Sequence, residues 1–293
     1  MKVAILPGIR DGRIYRRQRA SNAWRYLFLA LVAAVMVFPF FWMIANSFNS
    51  KQGILSLPPN LVPDRLFTPE MFLNYQEVFG DYNFGRYLWN SLFVASLASL
   101  GQVITCATAG FAFGKMRFPG RNLIFGIILA TMMIPTHATI IPEYILMFRL
   151  GWMNSYLPLI VPSFLIGTFG TFLFKVFFEN APISLLEASV IDGASPGQVF
   201  SLVFVPLARG AIVTLLIIAF MNNWNDLLRP VLYITSRELM TSTLALTQFQ
   251  SQYSTEWNLL ITGAVVSTTP LLVMYAFLQG YIIEGVSHLG SKG

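Results

Sequence analysis

The chain has 293 residues, of which 55% are hydrophobic, 15% aromatic and only 11% charged, against roughly 25% charged in a soluble domain. Thirteen acids and nineteen bases cannot cover the polar surface of a soluble fold of this length, and the mean hydropathy of +0.63 agrees. This argues against a soluble enzyme and an extended disordered protein, and the lone Cys106 argues against a disulfide-stapled secreted domain. The remaining solvent is lipid.

Residues 1–25 form a basic N-terminus carrying seven of the bases. Only Tyr15 and Trp24 fall among these bases, too few aromatics for it to be read as a nucleic-acid patch. The apolar run that follows is too long for a signal-peptide core and has no small-residue cleavage site after it, so it is expected to stay as an anchor. Six stretches without Asp, Glu, Lys or Arg stand out at 26–50, 87–114, 122–142, 150–174, 210–225 and 257–283. Spanning the hydrocarbon takes roughly 20 apolar residues. An all-α polytopic membrane domain over 26–283 is therefore expected, with six helices at about 26–46, 88–112, 122–142, 156–178, 207–226 and 258–282, and a tail at 284–293. The second span is rich in small residues such as Ala95, Gly101 and Gly110, which suits a centrally packed helix.

With both termini on the cytoplasmic side, thirteen of the nineteen bases fall inside, as the positive-inside rule requires. The spans hold almost no ionisable group. His137, near the outer end of the third, reads as an interfacial histidine before it reads as a proton relay. Proton-coupled carriers need intramembrane ionisable groups, and no metalloprotease helix, nucleophile elbow or P-loop is present. A self-contained secondary carrier or channel, the alternative reading, and a membrane-embedded enzyme are both disfavoured. Uphill transport would need energy from another subunit.

The segment between the fourth and fifth spans, 180–206, is the most informative. Ser184 and Glu187 have capping-box spacing, which predicts a short helix from near Ser184. Ile183, Leu186 and Val190 share a face. Gly193 suits the left-handed end of that helix. Ser195, Pro196 and Gln198 then open a second helix as N-cap, N1 and N3. Two short helices joined at a glycine suit docking into a partner's groove. The competing reading is an interfacial helix. Such helices are usually rich in Lys and Arg, and residues 180–208 contain neither.

The same residues carry a family resemblance. Glu187-Ala188-Ser189, then Gly193, then Val203-Phe204-Val205-Pro206 resemble the E-A-A-x3-G-x9-I-x-L-P loop of ABC importer permeases, with conservative departures at Ser189, Val203 and Val205. The stretch IDGAS at 191–195 is similar to the maltose-type carbohydrate importers. FPFFWMIANSF at 38–48, Asn90-Ser91, AGFAFGKMRFPGR at 109–121, MIPTHATIIPEY at 133–144 and NNWNDLLRPVLYI at 222–234 agree in order. The chain resembles the smaller, six-span permease of a heterodimeric pair.

The resemblance implies a binding-protein-dependent importer permease (MetI-like) fold in a bacterial or archaeal cytoplasmic membrane. It also implies a second, larger permease, two copies of a cytoplasmic ATPase and an extracytoplasmic solute-binding protein as partners. This chain would bind no cofactor, and ATP and Mg would belong to the ATPases. Ser184, Glu187, Ala188, Ser189, Asp192, Gly193, Ala194 and Pro206 would form the ATPase-coupling loop. A sugar path could be lined by Asn222, Asn223, Trp224 and Asn225, or by Gln102, Thr105 and Thr108 on the second span, with helix packing as the plainer role for each. Phe249, Tyr253 and Trp257 lie in a polar loop similar to the one that reaches towards the binding protein.

Overall fold

The computed structural model describes residues 12–58, 60, 62–165, 167–250 and 254–290. Apart from an isolated bridge between Gln250 and Thr255, the regular elements among these residues are helical. In chain order the longer ones are α1 (Gly12–Asn46), α2 (Leu73–Gly80), α3 (Phe84–Lys115), α4 (Arg121–Thr131), α5 (Thr136–Arg149), α6 (Thr168–Asn180), α7 (Ile183–Ile191), α8 (Arg209–Trp224) and α9 (Trp257–Gly290).

Four helical stretches among the described residues are long and apolar enough to cross a membrane: Trp24–Asn46, Phe84–Lys115, Leu157–Asn180 and Trp257–Gly280. Pro196–Leu207 and α8, bent by 80° to each other, make a fifth if the pair is one span. The stretch 122–142, expected as one helix, is two. α4 stops at Thr131, and Pro135 is the N-cap of α5. A proline disfavours helical backbone at the residue before it and has no N–H to give to the preceding turn. The fourth expected span is also interrupted, with a turn over Leu157–Ile160 and a 3-10 turn over Val161–Phe164 before α6.

α3 is the central post, and its small residues explain why. A Cβ added at Gly110 would lie 2.4 Å from the Phe174 Cβ and 2.9 Å from the Lys175 backbone nitrogen, so α3 and α6 touch nearly backbone to backbone. Without a hydrophobic driving force between helices in lipid, such close packing is what holds them. Cys106, Phe111, Phe174, Phe178, Phe204 and Leu215 fill the buried cluster among α3, α6 and α8. α1, by contrast, shows its apolar surface around most of its described length, with Trp24 at 69% and Phe41 at 65% exposure.

At the opposite end of α3 from Lys115, two polar clamps hold the connecting segments. Asn74 Nδ2 donates to the carbonyls of Ser47 and Asn49, both at 2.8 Å, and its Oδ1 accepts from Arg65 Nη1 and Asn258 Nδ2, both at 3.0 Å. Thr262 Oγ1 donates to the Ser47 carbonyl at 3.1 Å. The end of α1, the segment around α2 and the start of α9 are thus joined through one buried amide. In the second clamp, Asn90 Nδ2 donates to the carbonyls of Glu238 and Met240, each at 2.9 Å, and Ser91 Oγ accepts from the Ser242 N–H at 2.7 Å.

Candidate functional site

The segment 183–208 is shaped by local rules. α7 starts at Ile183, with Pro182 as N-cap and no side-chain capping bond. The capping box expected at Ser184 and Glu187 is therefore absent: Ser184 already lies in the first turn, and Glu187 sits too deep to reach back. The C-terminal end forms as expected. Gly193 has φ +80°, its N–H donates to the Val190 carbonyl at 3.0 Å, and the Ala194 N–H donates to the Ser189 carbonyl at 3.0 Å. This pair is a Schellman motif. Ser195 then caps the next turn in a reciprocal box with Gln198. The Ser195 N–H donates to Gln198 Oε1 at 2.8 Å, and the Gln198 N–H donates to Ser195 Oγ at 3.4 Å.

Beyond Gln198 the backbone widens into a π-helix over Val199–Phe204, then a turn over Val205–Leu207, before the 80° bend into α8. Pro206 is the visible signal for this, because its ring cannot fit against the carbonyl four residues back in a regular α-helix. Such π-bulges are frequent at functional sites.

Phe204 is wholly buried. Its ring centroid lies 5.1 Å from that of Phe111 and 5.7 Å from that of Phe178. Lys115 Nζ stands 5.8 Å from the Phe204 centroid and donates to the Ala181 carbonyl at 2.7 Å. The segment is pinned at both ends to the same helix terminus. Between the pins, Ser184, Glu187, Ala188, Asp192 and Gly193 are exposed, while Ser189 and Ala194 are half-buried and Pro206 is exposed. Of the expected apolar face only Leu186 packs against the buried cluster. Ile183 at 55%, Val190 at 60% and Ile191 at 85% exposure remain on the outside.

The other expected residues separate. Trp224 is buried, donates from Nε1 to the Ser267 carbonyl at 3.1 Å, and stacks on Phe220. Asn223 donates to the Ala219 carbonyl at 2.8 Å, and Asn222 and Asn225 are exposed. Thr105 and Thr108 bond back to carbonyls of their own helix. Phe249 is 2% exposed and packs with Phe84 and Tyr82, which turns its ring inward rather than onto the surface. Trp257 is 43% exposed at the start of α9. Tyr253 lies outside the described residues. His137 is exposed on α5.

Sequence reading missed a charged group that the fold assembles. Arg229 Nε donates to Glu143 Oε1 at 3.0 Å, and Arg229 Nη1 is 3.7 Å from Asp226 Oδ2. Burial opposes the guanidinium charge, but the Glu143 hydrogen bond and the two carboxylates outweigh it and hold Arg229 above its ordinary range. Beside it Tyr233 is fully buried. Burial first, and then the nearby Glu143 charge, push its phenol up to about 12. Arg229 and Gln102 line one cavity of about 180 Å³ with Pro158, Leu159, Ser163 and Leu165. Glu143 and Arg229 are 86 residues apart, which is why no local pattern announces the pair.

Residues 106–288 match the family model described as binding-protein-dependent transport system inner membrane component. The lactose transport system permease protein LacG of Rhizobium radiobacter is 28% identical over 275 residues, covering 94% of this chain and 97% of that protein. The sn-glycerol-3-phosphate transport system permease protein UgpE of Escherichia coli (strain K12) is 30% identical over 274 residues, covering 91% and 97%. The arabinooligosaccharides transport system permease protein AraQ of Bacillus subtilis (strain 168) is 27% identical over 270 residues, covering 91% and 94%. A crystal structure of a bacterial ABC transporter involved in the import of the acidic polysaccharide alginate contains a chain of the same fold. The TM-score is 0.77 and the identity 21%, over 95% of this chain and 100% of that one. The chain belongs to the binding-protein-dependent transport system inner membrane components, and so is the membrane component of such a system rather than a self-contained carrier or channel.

Proposed function

We propose that this chain is the smaller permease of a heterodimeric ABC importer in a bacterial inner membrane, carrying a sugar or sugar-like solute inward. Six crossings give it two cytoplasmic termini, with α4 and α5 together making the third. Its partners are a larger permease, two cytoplasmic ATPases that hold the ATP and Mg, and an extracytoplasmic solute-binding protein. The chain itself needs no cofactor. Relatives named for lactose, arabinooligosaccharides and glycerol phosphate support a small polyhydroxylated solute.

The observation that carries the coupling role is the pre-shaped unit at 183–198. It exposes Glu187, Ile183, Val190 and Ile191 while its continuation is locked into the bundle by Phe204. Exposed apolar side chains around one carboxylate fit a groove with a basic group. ATP-driven closure of the ATPases then moves this unit as a rigid body, and the driving force is their differential affinity for ATP in the two states. The test is a disulfide or maleimide crosslink from Glu187→Cys to a co-expressed ATPase in the assembled transporter. A crosslink that ATP alters supports the assignment; its absence in a complex that still assembles and transports removes it.

A further inference from the structure

We infer that the cavity between Gln102 and Arg229 is a solute subsite held by this chain, shaped for one neutral polyhydroxylated ring. It rests on the importer reading above and names the residues that would meet the solute.

The first argument is depth. At about 1.5 Å per residue, Gln102 lies roughly 27 Å from Phe84 and roughly 20 Å from Lys115, near the middle of α3. The second is the backbone. Facing Gln102, the stretch before α6 leaves helical geometry: Leu165 has ψ 164° and Gly167 has ψ 124°. Non-helical backbone at membrane depth persists only where it is buried in protein or lines a wet cavity, and secondary transporters, a different class, place solute sites at such breaks. A Cβ added at Gly167 would come within 3.0 Å of Gln102 Nε2, so a larger residue there would crowd the amide.

The third argument is chemical. Neither the Gln102 amide nor the Ser163 hydroxyl has a hydrogen-bond partner among the described residues, and both line the cavity. Arg229 stands at the same wall with its charge already matched by Glu143 and Asp226. A guanidinium in that company does not attract a further anion. It offers donors beside carboxylate acceptors, the combination that hydroxyl groups satisfy. The volume of about 180 Å³ falls below the roughly 300–1,000 Å³ of a drug-sized site. One ring fits it, not a whole oligosaccharide.

The experiment uses the assembled transporter with its binding protein in proteoliposomes, with lactose, arabinotriose and sn-glycerol 3-phosphate as probes. Cys106 is buried and is the chain's sole cysteine, so Ser163→Cys on a Cys106→Ser background gives one addressable thiol. A charged, water-soluble thiol reagent is expected to modify it, and whichever neutral sugar is imported slows that reaction at least threefold. Gln102→Leu is expected to cut uptake of the same sugar about threefold to tenfold. Three results overturn the subsite alone: a thiol that does not react in a transporter still importing sugar, a reaction that imported sugar does not slow, or protection by the phosphate and by neither sugar. Failure of the wild-type complex to import any of the probes overturns the solute class on which the subsite rests.

Discussion

Phe204 meets Phe178 edge to face, with ring centroids 5.7 Å apart, and through this contact the segment 183–208 is fastened to α6. The same ring closes against Phe111 on α3, so one side chain joins the segment to two helices.

Phe204→Ala is expected to destabilise the detergent-solubilised protein by about 3–5 kcal/mol, the cost of truncating a buried aromatic. ATPase co-purification falls with it, while Phe200→Ala, at a half-buried neighbour, costs less. Thermal unfolding and pull-down of the two variants check this; equal losses would mean that Phe204 is not the anchor.

Gly193 has φ +80° with nothing within 4 Å of where a Cβ would stand. Conformation, not space, therefore limits what can replace it. An ordinary L-residue in that region costs about 1–2 kcal/mol, whereas Asn visits it routinely. Gly193→Asn should retain transport, and Gly193→Val should lose most of it while still inserting into the membrane. Uptake assays that rank the two alike would show that the left-handed turn is not what coupling needs.

Asn90→Leu removes both donors to the carbonyls of Glu238 and Met240. These bonds are part-buried, so each lost bond costs about 0.5–1.5 kcal/mol. The segment 236–250 should become the first site of limited proteolysis, and stimulation of the ATPase by the solute-loaded binding protein should drop. Unchanged cleavage kinetics would show that the clamp is dispensable.

Tyr233 gives a pH prediction with a definite sign. Its phenol is raised from 10.0 to about 12 in the fold. Between those values the unfolded chain releases the proton and the folded chain keeps it, so stability falls as pH rises. The contribution is intact below about pH 10 and gone by about pH 12. Tyr233→Phe should flatten the alkaline loss of thermal stability in that window, because the ring stays buried and the titrating hydroxyl is gone.

What was legible in the residues was what depends on near neighbours. Gly193, Ser195 and Gln198 act within one turn, and their motifs stand where the spacing places them. Ser184 failed as a cap because Pro182 opens the helix a step earlier. Charge-free length makes 122–142 one span, whereas Pro135, near its expected end, opens a second helix. Phe249 sits in a polar segment and looked like a surface ring. Its burial depends on Phe84 and Leu259 arriving from elsewhere in the chain. The Arg229–Glu143 pair was beyond any local reading for the same reason.

The reciprocal bonds around Gly193 and Ser195 have a consequence for association rate and affinity. The turns at Gly193 and Ser195 are satisfied by the segment's own residues, so their shape does not wait for a partner. Docking then forfeits little backbone entropy, and more of the contact energy is kept as affinity. On the proposed coupling role, the segment would release and re-engage an ATPase in each transport cycle without refolding.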